Sequence, residues 1–294
     1  MRLAVNYSRA LAELVAAGQV VVDLLKCPAW PALVVEARRS GPVYIHFPLV
    51  IGQGTGQVVN SETGQPADWA GIERLLAETA TPFVNLHFRP PPVAEPSGAV
   101  EEWLVANGLR DLAGVVARFG AERVIVENLP GRNLPRAVAG AVPEALSRLL
   151  RETGCGLLLD LSHARLAAMH LGEPVQDYLA RLPVERLREL HLTGIQHLGT
   201  EAAAALRQAG VEEATVQRWT RQPMDHLPLT ETDWAFVLWA LAWIRAGAWS
   251  RPSIVALEYG GVGALWETLT DRAVLATQVP RLRADLQRAL GASG

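Results

Sequence analysis

Histidines and carboxylates recur where short apolar runs come to an end. His46 falls at the close of VYIHF (43–47), His87 of FVNLHF (83–88), and Glu127 with Asn128 of RVIVEN (123–128). Asp160 closes GLLLDL (156–161) and is followed by His163; His191 and Glu258 stand near the ends of LRELHL (187–192) and SIVALEY (253–259). Imidazole nitrogen mixed with carboxylate oxygen, without thiolate, suits Zn, Fe, Mn or Co rather than Ca or an iron–sulfur cluster. Buried against apolar strands, such groups are costly unless paired or bound to metal, and a metal cation compensates the carboxylates. The set is too large for one tetrahedral ion and predicts two or three ions close together, as in sites that activate oxygen or water.

Each position also has a plainer reading as a helix cap or a hydrogen-bonded core polar group. Glu127-Asn128, for instance, could cap the turn into LPGRNLPRAV. The agreement of six strand ends outweighs that reading, and Asp160-Leu161-Ser162-His163 is the most specific local piece. Asp225-His226 and His197 lie in loops that could reach the same mouth, whereas His170 lies on a helix and reads as structural. Lys26, expected just past the second strand, could form a Schiff base, but anion binding or a salt bridge suits it better. The glycine-rich IGQGTGQ (51–57) has the composition of an anion cradle, but it lacks the GK[ST] ending of a P-loop and reads as a flexible loop at the mouth. Trp234, Trp239 and Trp243 fall at near-helical spacing and read as core.

Two further runs, LAVNY (3–7) and QVVVDLL (19–25), bring the expected strands to eight, with amphipathic stretches of helical period between them. Strands apolar on both faces, each followed by a helix, imply a parallel sheet covered by helices. Eight such units in 294 residues predict a single (β/α)8 TIM barrel over residues 1–294. The loop after strand seven, 194–229, is enlarged and carries a helical pattern. A doubly wound sheet is the alternative, but no GxGxxG follows the first strand. The candidate ligands cluster at the C-terminal ends of the strands, where barrel active sites sit.

Composition sets the outer bounds. With 50% hydrophobic and 19% charged residues the chain is neither disordered nor able to span a bilayer. A net charge of −3 with interspersed arginines weighs against nucleic acid as a partner. Of 27 basic residues only Lys26 is lysine. Cys27 and Cys155 make no CxxC, and the N-terminus carries no secretory pattern, so a cytoplasmic location is expected.

The stretch TGCGLLLDLSHARLAAMHLGEPVQDYLARLPVERLRELHLTG (153–194) resembles the multinuclear non-haem iron-dependent oxidases, which include the methanobactin biosynthesis enzyme and other modifiers of ribosomally made peptides. That family is a branch of the xylose-isomerase-like barrels, a superfamily that also holds endonuclease IV. The resemblance implies a metal-ligand order of His46, His87, Glu127, Asp160, His163, His191, the Asp225–His226 region and Glu258. Where the pattern calls for Asp-x-His, this chain has Met224-Asp225-His226, a departure that bears on the third metal. The resemblance further implies iron as the metal, with zinc or manganese as alternatives, and Glu127, Asp160 and Glu258 as catalytic carboxylates. It implies oxidation of a peptide or a small thiol-type substrate, with a partner protein that presents the substrate. Three other readings are carried: a sugar isomerase or epimerase in which Glu127 or Glu258 moves a proton, a zinc phosphodiesterase, and a barrel that binds metal without turnover.

Overall fold

The computed structural model describes residues 1–92 and 99–291. Twelve strands are present among them: β1 Arg2–Asn6, β2 Leu24–Pro28, β3 Val43–His46, β4 Leu49–Ile51, β5 Val59–Asn60, β6 Val84–Phe88, β7 Val124–Glu127, β8 Gly156–Asp160, β9 Leu187–Leu192, β10 Gly194–Gln196, β11 Met224–Leu227 and β12 Ile254–Leu257. All eight expected strands are among these, alternating with helices in an α/β fold. The second is displaced: β2 covers Leu24–Pro28 rather than 19–25, so Lys26 lies inside the strand and not beyond it. The run Val20–Val22 is apolar enough for a strand, but it follows the end of the first helix as irregular chain.

The chain forms two compact units. One comprises Met1–Val43, His191–Ala246 and Ile254–Gly294; the other comprises Tyr44–Leu190 and Gly247–Ser253.

In the second unit β8, β7, β6 and β4 lie side by side and parallel, and β5 adds an antiparallel edge on β4. Every residue of β7 and β8 is buried, which is what a parallel sheet covered on both faces requires. The register aligns His87 with Glu127 across β6 and β7, bringing two candidate ligands to one level. Helices Val100–Phe119 and Arg136–Thr153 cover this sheet, and a side chain at Gly108 would meet Leu149 at 2.7 Å. Glycine there lets the two helices approach closely.

The IGQGTGQ loop is not an open anion cradle. Gly52, Gly54 and Gly56 have φ of +96°, +74° and +76°, a backbone that turns successive N–H groups inward. Those groups donate to the buried Asp111 carboxylate at 2.9, 3.0 and 2.8 Å. The chain fills the nest with its own anion, so the loop is an anchored element.

In the first unit β2, β1 and β12 are parallel neighbours, with Ala4 opposite Leu24 on one side and Ala256 on the other. The enlarged loop after β9 holds two helices, Thr200–Gln208 and Glu213–Arg221, framed by the antiparallel pair β10 and β11. Leu198, Leu206, Val216, Met224 and Leu227 bury one another there as a satellite core. Helix Glu231–Arg245 starts at a capping box between Thr230 and Asp233. Of its tryptophans only Trp234 is core. Trp243 is 45% exposed, and Trp239 packs partly exposed between Phe236 and Trp243. Cys27 and Cys155 are both buried and free. Among the described residues, no helix is long and apolar enough to cross a membrane.

Candidate metal centre

Five of the expected residues converge in the second unit. His46 ends β3, His87 lies in β6, Glu127 ends β7, Asp160 ends β8, and His163 stands on the first turn of helix Leu161–Leu171. His87 Nδ1 is 3.0 Å from the Leu49 carbonyl oxygen, which fixes the ring with its proton on Nδ1 and leaves the lone pair on Nε2. That Nε2 lies 3.1 Å from His46 Nε2 and 3.1 Å from Glu127 Oε2, and His46 Nε2 is 3.5 Å from the same oxygen. Two ring nitrogens and a carboxylate oxygen thus meet at hydrogen-bond distance around one point, an arrangement that calls for a cation between them.

Glu127 faces the other way as well. Its Oε1 is 3.2 Å from His163 Nδ1, which also lies 2.9 Å from the Asn128 carbonyl oxygen. A carbonyl oxygen only accepts, so His163 Nδ1 donates to it and Nε2 is the ring atom left to face a ligand. Two groups of potential ligands therefore share one carboxylate: His46, His87 and Glu127 form the first, and Glu127, Asp160 and His163 the second, each within 4.8 Å. Burial works to raise the Glu127 pKa, but the imidazoles of His87, His163 and His46 hold it well below the ordinary carboxylate range.

Asp160 combines both readings of its position. Its Oδ1 accepts the His163 N–H at 2.9 Å and the Ser162 hydroxyl at 2.6 Å, capping the helix that carries His163. Its Oδ2 is buried with no hydrogen-bond partner. A buried carboxylate oxygen left in that condition is uncommon and is satisfied by a cation. The residues present therefore fit metal ions.

Supporting groups hold these side chains in place, and of them only Asn128 was singled out in the sequence. Asn85, two positions before His87 on the same face of β6, receives the Phe47 N–H at 2.7 Å and donates to the Phe47 carbonyl at 3.0 Å, fixing the chain beside His46. Asn128 joins the ends of β7 and β8, donating to the Asp160 carbonyl at 3.0 Å and accepting its N–H at 2.9 Å. Tyr44 donates to the buried Glu189 at 3.1 Å. The period of two along the strands was the available signal, since Asn85 and Tyr44 precede His87 and His46 by two residues.

The remaining candidates lie in the first unit. Glu258 follows β12; His191 Nδ1 is 3.2 Å from its Oε1 and His226 Nε2 is 4.0 Å from its Oε2. Lys26 forms an ion pair with the same carboxylate. His226 holds φ of +61°, a rare conformation for a side chain with Cβ, and its ring packs 5.1 Å from Trp266. Asp225 is buried beside it in β11. His197 is exposed in the loop after β10, and His170 Nε2 bonds the Leu134 carbonyl at 3.2 Å in a structural role.

Residues 116–213, the span containing Glu127, Asp160, His163 and His191, match the family model described as RiPP precursor modification enzyme MbnB/TglH/ChrH. Over that span the chain is similar to these enzymes. It is 41% identical over 177 residues to a UPF0276 protein of Rhizorhabdus wittichii, covering 54% of this chain and 56% of that one. It is 34% identical over 92 residues to a UPF0276 protein of Acaryochloris marina, covering 31% and 33%. The matches thus span from a third to about half of those relatives' own length. Across 99% of both chains the fold is similar to a crystal structure of IOLI protein with a bound zinc atom, at 12% identity and a TM-score of 0.52. That likeness concerns the fold, and it bears out the TIM-barrel expectation.

Proposed function

We infer that this chain is a metal-dependent TIM-barrel enzyme, a multinuclear non-haem iron oxidase acting on a peptide or a small thiol-type substrate. The observation that carries this reading is the pair of ligand groups sharing Glu127. Glu127 turns Oε2 toward the Nε2 atoms of His46 and His87 and Oε1 toward His163, so it stands between the two groups and would help to hold an ion in either. Bound iron would supply O2 redox chemistry and a Lewis acid for a substrate thiolate.

The chain's own residues do the rest. The Leu49 and Asn128 carbonyls orient His87 and His163 through their Nδ1 atoms, so the rings meet their ligands pre-set. Asp160 anchors the start of the His163 helix through Oδ1 and keeps Oδ2 available as a ligand or proton acceptor. The apolar strands that bury Glu127 and Asp160 exclude water and strengthen each electrostatic contact.

The isomerase reading needs a carboxylate that exchanges a proton near neutral pH. Glu127 is held ionised well below that range, and Glu258 is held by Lys26, so both suit static charge better than proton relay. The family match supports a ribosomally made peptide as substrate; a second protein that presents it is part of the proposal. Elemental analysis of protein purified under low oxygen without added metal tests the reading. About two iron equivalents per chain, with O2 uptake in the presence of a cysteine-containing peptide, is the expected outcome. Zinc or manganese alone would turn the assignment to isomerase or hydrolase chemistry, and protein free of metal would overturn it.

A further inference from the structure

Glu258, His191 and His226 make a second gathering of ligand-type groups, and the chain's sole lysine sits in it. The Glu258 carboxylate is 4% exposed, His191 is fully buried, and Lys26 is 5% exposed. A buried carboxylate flanked by two imidazoles is a seat for a cation. The ion pair with Lys26 Nζ supplies that cation from the chain itself, on the same oxygen that His191 approaches at 3.2 Å.

The residue type fits the seat. Every other basic residue of the protein is arginine, yet this position is lysine. A guanidinium is a planar fork suited to bidentate pairing, whereas an ammonium is a compact point charge with three donors and attracts the same carboxylate oxygens that a metal ion does. A divalent ion brought to Glu258 would lie in contact with that ammonium, and at so buried a position the repulsion between two positive charges is strong. We propose that the Lys26 ammonium occupies the cation seat at Glu258, so that His191, His226 and Glu258 take up no metal ion while Lys26 is in place. The metal content of the protein is then set by the Glu127 centre alone. That total rests on the proposed function, but the effect of Lys26 does not.

The test is zinc uptake by the full chain, made metal-free, dialysed against excess Zn²⁺ and counted by elemental analysis. The native protein is expected to hold two equivalents, and Lys26→Met one more than native, because the emptied seat accepts an ion. Glu258→Gln, which keeps the shape of the side chain, is expected to hold the native number, since Glu258 ligates no metal beside Lys26. A native count of three, a folded Lys26→Met with the native count, or a Glu258→Gln that loses one equivalent would each overturn the inference. Circular dichroism establishes that Lys26→Met is folded, and Glu258→Gln keeps the question answerable where that variant is not. A native count of zero would defeat the two-ion reading of Glu127, yet Lys26→Met would still be expected to gain one.

Discussion

At the residue scale the decisive feature is that single atoms of Glu127 and Asp160 have separable duties. Glu127 offers one oxygen to each of two ligand groups, so Glu127→Gln is expected to lower metal content by more than one equivalent. In Asp160→Asn the retained Oδ1 still caps the His163 helix, so content is expected to fall by one equivalent with little loss of stability. Asp160→Ala also removes the cap, which adds roughly 1 kcal/mol of destabilisation. Elemental analysis beside denaturant titration separates the two effects, and equal metal content in all three variants would defeat the assignment. Cys27 offers an independent check. Burial pushes its thiol from an ordinary value near 9.0 up to about 12, so alkylation of the native protein at pH 8 is expected to be negligible. The raised value favours the protonated form in the folded state. The associated stability is therefore complete below about pH 9 and declines as pH rises toward 12, visible as a falling denaturation midpoint that Cys27→Ala flattens.

At the element scale the site depends on loops that are tied down. The Asp111 nest secures residues 52–56, directly after β4, whose Leu49 carbonyl orients His87. Asp111→Ala leaves three inward N–H groups without their acceptor, and a loss of roughly 2–4 kcal/mol is expected, with weaker metal retention as a secondary effect. Gly54→Ala acts on the same element by another route, because its Cβ would stand 2.2 Å from Asn107 Oδ1 at a φ of +74°. Urea denaturation of the two variants measures this, and native-like midpoints would show the loop to be loose. The helix cap at Asp160 and the strand-end clamp of Asn128 are the same kind of device. Both turn a backbone end into a fixed platform for a ligand.

At the scale of the whole molecule, metal and fold are linked. Buried, like-charged or lone-pair groups facing one another favour separation until a cation joins them, so binding stabilises the folded chain by mass action. Removing metal with 1,10-phenanthroline is expected to lower Tm by roughly 5 °C or more, reflecting about 3 kcal/mol at ligand concentrations near a hundredfold Kd. Restoring Fe²⁺ or Zn²⁺ should recover it. An unchanged Tm throughout would mean that these groups are satisfied without metal.

The fold class was legible along the chain, and so were the polar residues that close the strands, because both rest on short-range regularities. Apolar runs buried on two faces, helical period between them, and a polar residue closing each run are visible along the chain without knowledge of distant contacts. The second strand starts later than the apolar pattern predicts because Val20–Val22 is as apolar as β2 itself, and only packing distinguishes them. The glycine loop, the exposed Trp243 and the partner of Lys26 were likewise beyond local pattern. Each depends on which residue from afar arrives beside it: Asp111 at the nest, and Glu258, 232 residues along the chain, at the lysine. The division of the candidate ligands into two groups sharing Glu127 and a third set beside the Lys26–Glu258 ion pair follows from interatomic distances. Those are fixed by the packing of strands against helices, which residue order specifies only through the folded whole.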